Sequence, residues 1–334
     1  MVRGGAAIMQ KRANRGQRVP GVDRTWLVPK LAEIGAAPAY LFSRTEIAPN
    51  PLLHMAQPGR HRWHGLDSER RYRNNPHPVL GPNDVEYAFN RHGYRTAEFD
   101  ELLLPAQDAV RIVTIGASGA LGAGLPQEHS FPALFTEKLG EHLGRPAQNW
   151  NLSVGGTSAD FVSRMLFSAI HVVKPAAVLL TCFPFYRREM FGETGRIFVS
   201  SSRPHWQHRF INPEQWGVDR ACERISNPHA DLVNFVTNLK VWESLCDRAG
   251  VPWLFTTEGY ASQIESVEGL VADPRKMVGP GLHALIRQYA PEPATGLARD
   301  MLHGGTKPNQ EIADRLFERL LEVYPAEVEA LRRG

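Results

Sequence analysis

Three side chains of this 334-residue chain carry the groups of nucleophilic chemistry: Ser118, Asp300 and His303. Ser118 lies in RIVTIGASGALGAG (Arg111 to Gly124), where apolar and β-branched residues run into Gly116 and then into small residues. That is how a buried strand emptying into a tight loop reads. Asp300 and His303 stand three apart in ARDMLHGGTKPNQEIADRL (Ala298 to Leu316), immediately before a helical pattern. The spacing can set a carboxylate and an imidazole on one side of a turn. The Asp then fixes the ring's tautomer and stabilises the imidazolium, while the other ring nitrogen faces a nucleophile. Taken alone, an Asp-x-x-His pair is more often a structural turn. The loop has a rival reading too, in which Gly116, Gly119 and Gly122 line a cradle for a phosphate.

The elements around these residues alternate. After the strand at 111–116, FPALFTEKLGEHLG places Phe131, Leu134, Phe135, Leu139 and Leu143 at helical spacing, closed by Gly144. A strand at Gln148 to Ser153, the Gly155-Gly156 turn, an amphipathic stretch ending before Pro175 and a buried strand from Ala176 to Cys182 follow. Residues 183–229, with Trp206 and Trp216, interrupt the pattern and read as a lid-like excursion. Asp231 to Ala249 is a helix capped by Gly250, Pro252 to Thr257 a strand, and Pro308 opens a terminal helix. Strand, helix and strand in alternation predict right-handed βαβ crossovers and a parallel sheet, with ligands at the carboxyl ends of the strands. Residues 1–84 are irregular and rich in Pro, Arg and His, an arm expected to lie across the α/β domain that occupies 85–334.

Composition sets further bounds. A net charge of +3 without a clustered basic stripe predicts no nucleic-acid partner. No apolar run is long enough for a signal peptide or a membrane span, and Cys182, Cys222 and Cys246 form no disulfide or metal pattern. These features predict a cytoplasmic protein without a membrane partner or a cofactor, and leave its oligomeric state open. His61 with His64, and His205 with His208, are spaced for a metal but lack accompanying carboxylates, so no metal is expected. The phosphate-cradle reading, in which the loop resembles the cofactor loop of an NAD(P)-binding short-chain dehydrogenase, is weakened because Pro126 and a polar gap precede the helix near Ser130, because no acid ends the next strand, and because no Tyr-x-x-x-Lys occurs.

A strand running into Gly-Ala-Ser, then NLSVGG (Asn151 to Gly156), then TCFPFYRRE (Thr181 to Glu189) and a terminal Asp-x-x-His resembles the SGNH, or GDSL-type, hydrolase superfamily over roughly Val85 to Val323. The lead-in FNRHGYR (Phe89 to Arg95) adds to the likeness. The resemblance implies a flavodoxin-like three-layer α/β/α sandwich with a mainly parallel sheet. It implies Ser118 as nucleophile, His303 as general base, Asp300 as its orienter, and the Ser118 and Gly156 backbone N–H groups as an oxyanion hole. The expected activity is ester hydrolysis or acyl transfer through an acyl-enzyme, on a small acylated metabolite or sugar. Two departures stand out: Ala117 replaces the usual Asp, and Phe185 falls where the superfamily has an oxyanion-hole Asn. Phenylalanine donates no hydrogen bond, so either Tyr186, Arg187 or Arg188 substitutes or two backbone donors serve alone. Arg187 and Arg188 are alternatively candidates for binding an anionic part of the substrate, or a solvated pair. The substitution also raises a non-catalytic binding protein as the alternative to an enzyme.

Overall fold

The computed structural model describes residues 44–48, 50, 56–103, 109–182, 185–191, 197–199, 213–225, 227–258 and 269–333. Trp206, His205 and His208 lie outside these residues, as does much of the expected excursion. Strands are β1 (Gly59–His61), β2 (Tyr87–Phe89), β3 (Val110–Ile115), β4 (Ala147–Asn151), β5 (Ala177–Cys182), β6 (Glu189–Phe191), β7 (Ile197–Val199) and β8 (Trp253–Thr257). Helices are α1 (Glu69–Asn74), α2 (Phe99–Leu103), α3 (Ser118–Leu121), α4 (Phe131–Leu143), α5 (Ala159–Val172), α6 (Pro213–Ile225), α7 (Pro228–Ala249), α8 (Leu282–Tyr289), α9 (Pro293–Gly296), α10 (Thr306–Val323) and α11 (Pro325–Arg333).

Among the described residues the central sheet runs β4-β3-β5-β8, every pair parallel. Its residues alternate between two cores. Val113, Ile115, Val178, Leu180, Trp253 and Phe255 pack with Phe161 and Met165 of α5 and with Phe235, Leu239 and Trp242 of α7. Ile112, Ala177, Leu179 and Leu254 pack with Phe131, Phe135 and Leu139 of α4 and with Ile312, Leu316 and Leu320 of α10. Strands buried on both faces read as continuous apolar runs, which is why β3, β5 and β8 are legible in the sequence. The result is a three-layer α/β/α sandwich. In order of appearance the strands lie 2-1-3-4, the flavodoxin-like arrangement, whose ligand crevice opens between the first and third strands, here β3 and β5.

The expected helices end where glycine permits a left-handed turn: Gly144 after α4 and Gly250 after α7, both at φ 64°. One element differs from expectation. The first helix after β3 opens not near Ser130 but at Ser118, as the one-turn α3 ending at Gly122 (φ 76°). Four residues are too few to show a helical period.

The segment from Ala56 to Phe89 carries the antiparallel pair β1-β2 and a small cluster of Ala56, Val85, Tyr87 and Phe89 that closes on Leu121 of α3. His64 of this segment packs its ring on Tyr87 and Phe89, and the His61 ring bonds the Gln57 carbonyl. His61 and His64 are thus engaged in packing and turn contacts. Among the described residues no helix is long and apolar enough to cross a membrane.

Candidate active site

β3 delivers Ser118 to the carboxyl edge of the sheet. Gly116 is required by proximity, since a Cβ there would sit 1.8 Å from Thr181 Oγ1 on β5. The turn is fastened from two sides. The Ala117 N–H donates to Thr181 Oγ1 (3.3 Å), and Asn151 Nδ2, at the end of β4, donates to the Ala120 carbonyl (2.8 Å). Thr157 Oγ1 donates to the Gly116 carbonyl, drawing the NLSVGG turn against β3.

Asp300 and His303 come from the loop between α9 and α10. Asp300 is buried. Its Oδ1 accepts the N–H groups of Leu302 and His303, both at 3.0 Å, and its Oδ2 accepts from His303 Nδ1 at 2.5 Å. Met301 inside this turn has φ 58°, a left-handed conformation that costs a side-chain-bearing residue energy and is held by the bonds around it. With Nδ1 donating, His303 Nε2 presents a lone pair, and it accepts from Ser118 Oγ at 2.8 Å. The three residues read from the sequence are therefore brought together, in the order hydroxyl, imidazole, carboxylate.

Two backbone donors complete the surroundings. Gly155 lies against the nucleophile, a Cβ there being 3.9 Å from Ser118 Cβ, and Gly156 takes φ 81°. Among the described residues neither the Ser118 nor the Gly156 N–H has a hydrogen-bond partner. Phe185 is directed elsewhere, stacking on Phe235 of α7 with ring centroids 4.3 Å apart. Tyr186 and Arg187 are half-buried in the turn before β6. Arg188 Nη2 donates to the Ala230 carbonyl and its Nε lies 3.6 Å from Asp231, so its guanidinium fastens the segment to the start of α7.

Charge sets the proton affinity of the base. Burial lowers that of His303. The hydrogen bond and charge of Asp300, with the charges of Glu258 and Asp67, outweigh it and leave the pKa above the ordinary imidazole value. Burial raises the pKa of Asp300, but the hydrogen bond and charge of His303 and the two backbone donors hold it below the usual carboxylate range. A general base must be neutral, so a raised pKa keeps it protonated and inactive to higher pH. We expect kcat/KM for an ester to climb tenfold per pH unit on the acid side and to level off above about pH 6.5. A plateau already reached at pH 5 contradicts this.

Sequence reasoning missed a fourth group. Glu258, directly after β8 and 4% exposed, accepts from Gly119 N–H (2.9 Å), Ala120 N–H (3.2 Å) and Thr181 Oγ1 (2.7 Å). The available signal is an acid directly after the strand-forming run Trp253–Thr257. It also overturns the phosphate-cradle reading, because the N–H groups a phosphate needs are already bound to a carboxylate. The strand order agrees, since a dinucleotide fold places its first strand between the second and fourth.

The stretch before β3 is tied to both loops. Arg299, fully buried beside Asp300, pairs with Asp67 through Nε (3.2 Å) and Nη2 (2.6 Å), donates to the carbonyls of Pro82 and Val85, and stacks on Trp63. Tyr87 Oη donates to Asp67 and accepts from the Gly124 N–H, both at 2.7 Å. The Arg299 N–H in turn donates to the Gly124 carbonyl (2.9 Å), joining the nucleophile loop to the acid-base loop. Arg95, also fully buried, donates to the carbonyls of Leu121, Gly122 and Leu125.

No protein-family model and no curated protein sequence matches the chain. Among solved structures it is similar to the psychrotrophic esterase EstA from Pseudoalteromonas sp., at 14% identity and TM-score 0.39 over 64% of this chain and 97% of that one. It is similar also to TesA, at 14% identity and TM-score 0.40 over 63% and 97% of the two chains. A third likeness is to the acetyl xylan esterase AlAXEase, at 15% identity and TM-score 0.36 over 63% and 98%.

Proposed function

We propose that this protein is a serine-dependent ester hydrolase, working through an acyl-enzyme on a small acylated metabolite or sugar. The observation that carries the reading is the continuous hydrogen-bond chain from Ser118 Oγ through His303 to Asp300, beside two backbone N–H groups without partners. Ser118 Oγ bonds the acyl carbon as its proton passes to His303 Nε2. The carbonyl oxygen takes the negative charge against the Ser118 and Gly156 N–H groups. The ester C–O bond then breaks, and His303 returns the proton to the departing alcohol. Water repeats the cycle, losing a proton to His303 and freeing the acid from Ser118.

With Phe185 turned into the core, the oxyanion rests on backbone donors. An added side-chain donor is worth roughly 10²–10³ in kcat in comparable sites, so slow hydrolysis is expected. A slow second half-reaction favours an acceptor alcohol or amine over water, and acyl transfer is the companion reading. Intact mass after exposure to a fluorophosphonate tests the nucleophile. One adduct per wild-type chain and none on Ser118→Ala is the expected result. Unlabelled wild type, or equal labelling of both, would leave the non-catalytic binding protein in its place.

A further inference from the structure

The nucleophile turn exposes four consecutive backbone N–H groups, from Ala117 to Ala120, at the carboxyl edge of the sheet. Three are taken. Ala117 N–H goes to Thr181 Oγ1, Gly119 N–H to Glu258 Oε2 and Ala120 N–H to Glu258 Oε1, while Thr181 donates its own proton to Glu258. Only the Ser118 N–H is left without a partner among the described residues. We infer that Glu258 is a positioning residue of the esterase site, which occupies the N–H groups of Gly119 and Ala120 and, through Thr181, holds the acceptor of the Ala117 N–H, so that the Ser118 N–H alone is held ready for the oxyanion.

Steric detail supports the assignment. The carboxylate fits because position 119 has no side chain: a Cβ on Gly119 would lie 2.9 Å from the Glu258 carboxyl carbon and 2.5 Å from Leu282. Without the carboxylate, two N–H donors in a buried turn lose their acceptors, and an unmet buried donor is destabilising. A one-turn helix has too few internal bonds to hold its shape against that loss. The Ser118 donor and hydroxyl would then wander, and misplacement by about 1 Å costs reaction rate on the order of 10²-fold.

The inference rests on the proposed acyl-enzyme chemistry, and rate and stoichiometry of fluorophosphonate labelling separate the two. If wild type takes no adduct, the esterase reading fails and the assignment with it. Given wild-type labelling, Glu258→Ala is expected to react about 100-fold more slowly while still reaching one adduct per chain. Glu258→Gln, which keeps one acceptor oxygen, should recover part of that rate. Glu258→Ala reacting at the wild-type rate overturns the inference. So does a lower final stoichiometry with an unchanged rate constant, the mark of a residue that only maintains folding.

Should Glu258→Ala fail to fold, Glu258→Gln decides through the pH profile. The charges facing His303 are Asp300 on its own loop, Glu258 beyond β8 and Asp67 from the arm. Removing one of them lowers the pH at which the base becomes active, so the acid limb of kcat/KM should move to lower pH, with kcat reduced and KM little changed. An unmoved limb with wild-type kcat overturns the assignment.

Discussion

Asp300→Asn is expected to lower kcat on p-nitrophenyl acetate by about 10⁴ while leaving the fold intact. The turn itself dictates this outcome. Oδ1 of residue 300 accepts two backbone N–H groups, so an asparagine must keep its oxygen there and present its NH2 where Oδ2 meets His303 Nδ1. Two donors cannot face one another, and the imidazole shifts its proton to Nε2. That nitrogen then points an N–H at Ser118 Oγ and cannot accept the hydroxyl proton. Thermal unfolding near the wild-type temperature should accompany the loss. A reduction under tenfold would mean that Asp300 does not set the tautomer.

Asp67→Ala should be the most destabilising single change in the arm, by about 3–5 kcal/mol. Arg299 has no exposed surface and Asp67 is its only carboxylate partner among the described residues. The carbonyls of Pro82, Val85 and Arg62 remain as acceptors but carry no charge to offset the guanidinium. Removing both charges is a different matter. Asp67→Leu with Arg299→Met should regain most of the stability, since a buried pair mainly offsets its own desolvation. Urea unfolding midpoints for the single and double variants give the comparison. Loss of less than about 1 kcal/mol in Asp67→Ala would place the Arg299 charge in contact with solvent after all.

The sheet and its helices were legible because their signals are local. β3, β5 and β8 are dominated by apolar and β-branched residues, and α4 and α7 end at glycines that supply the left-handed residue. Ser118 and the Asp300-His303 pair were readable for the same reason, each sitting in a short stretch with its own pattern. Glu258 and Asp67 were not. A single acid after a strand carries no period, and its partners lie 139 and 232 residues away, at Gly119 and Arg299. The direction of the Phe185 ring was not legible either, because nothing adjacent to it announces that it will stack on Phe235.

The hydrogen bond between Ser118 and His303 spans 185 residues, and the arm's pairing with Arg299 spans more. Contacts that distant form late, after the loops between them have closed. In a nascent or half-folded chain Ser118 therefore stands without its imidazole partner, and the hydrogen bond to His303 closes only once the loop between α9 and α10 meets the carboxyl end of β3. On the proposed acyl-enzyme reading, labelling of Ser118 reports that these distant loops have met.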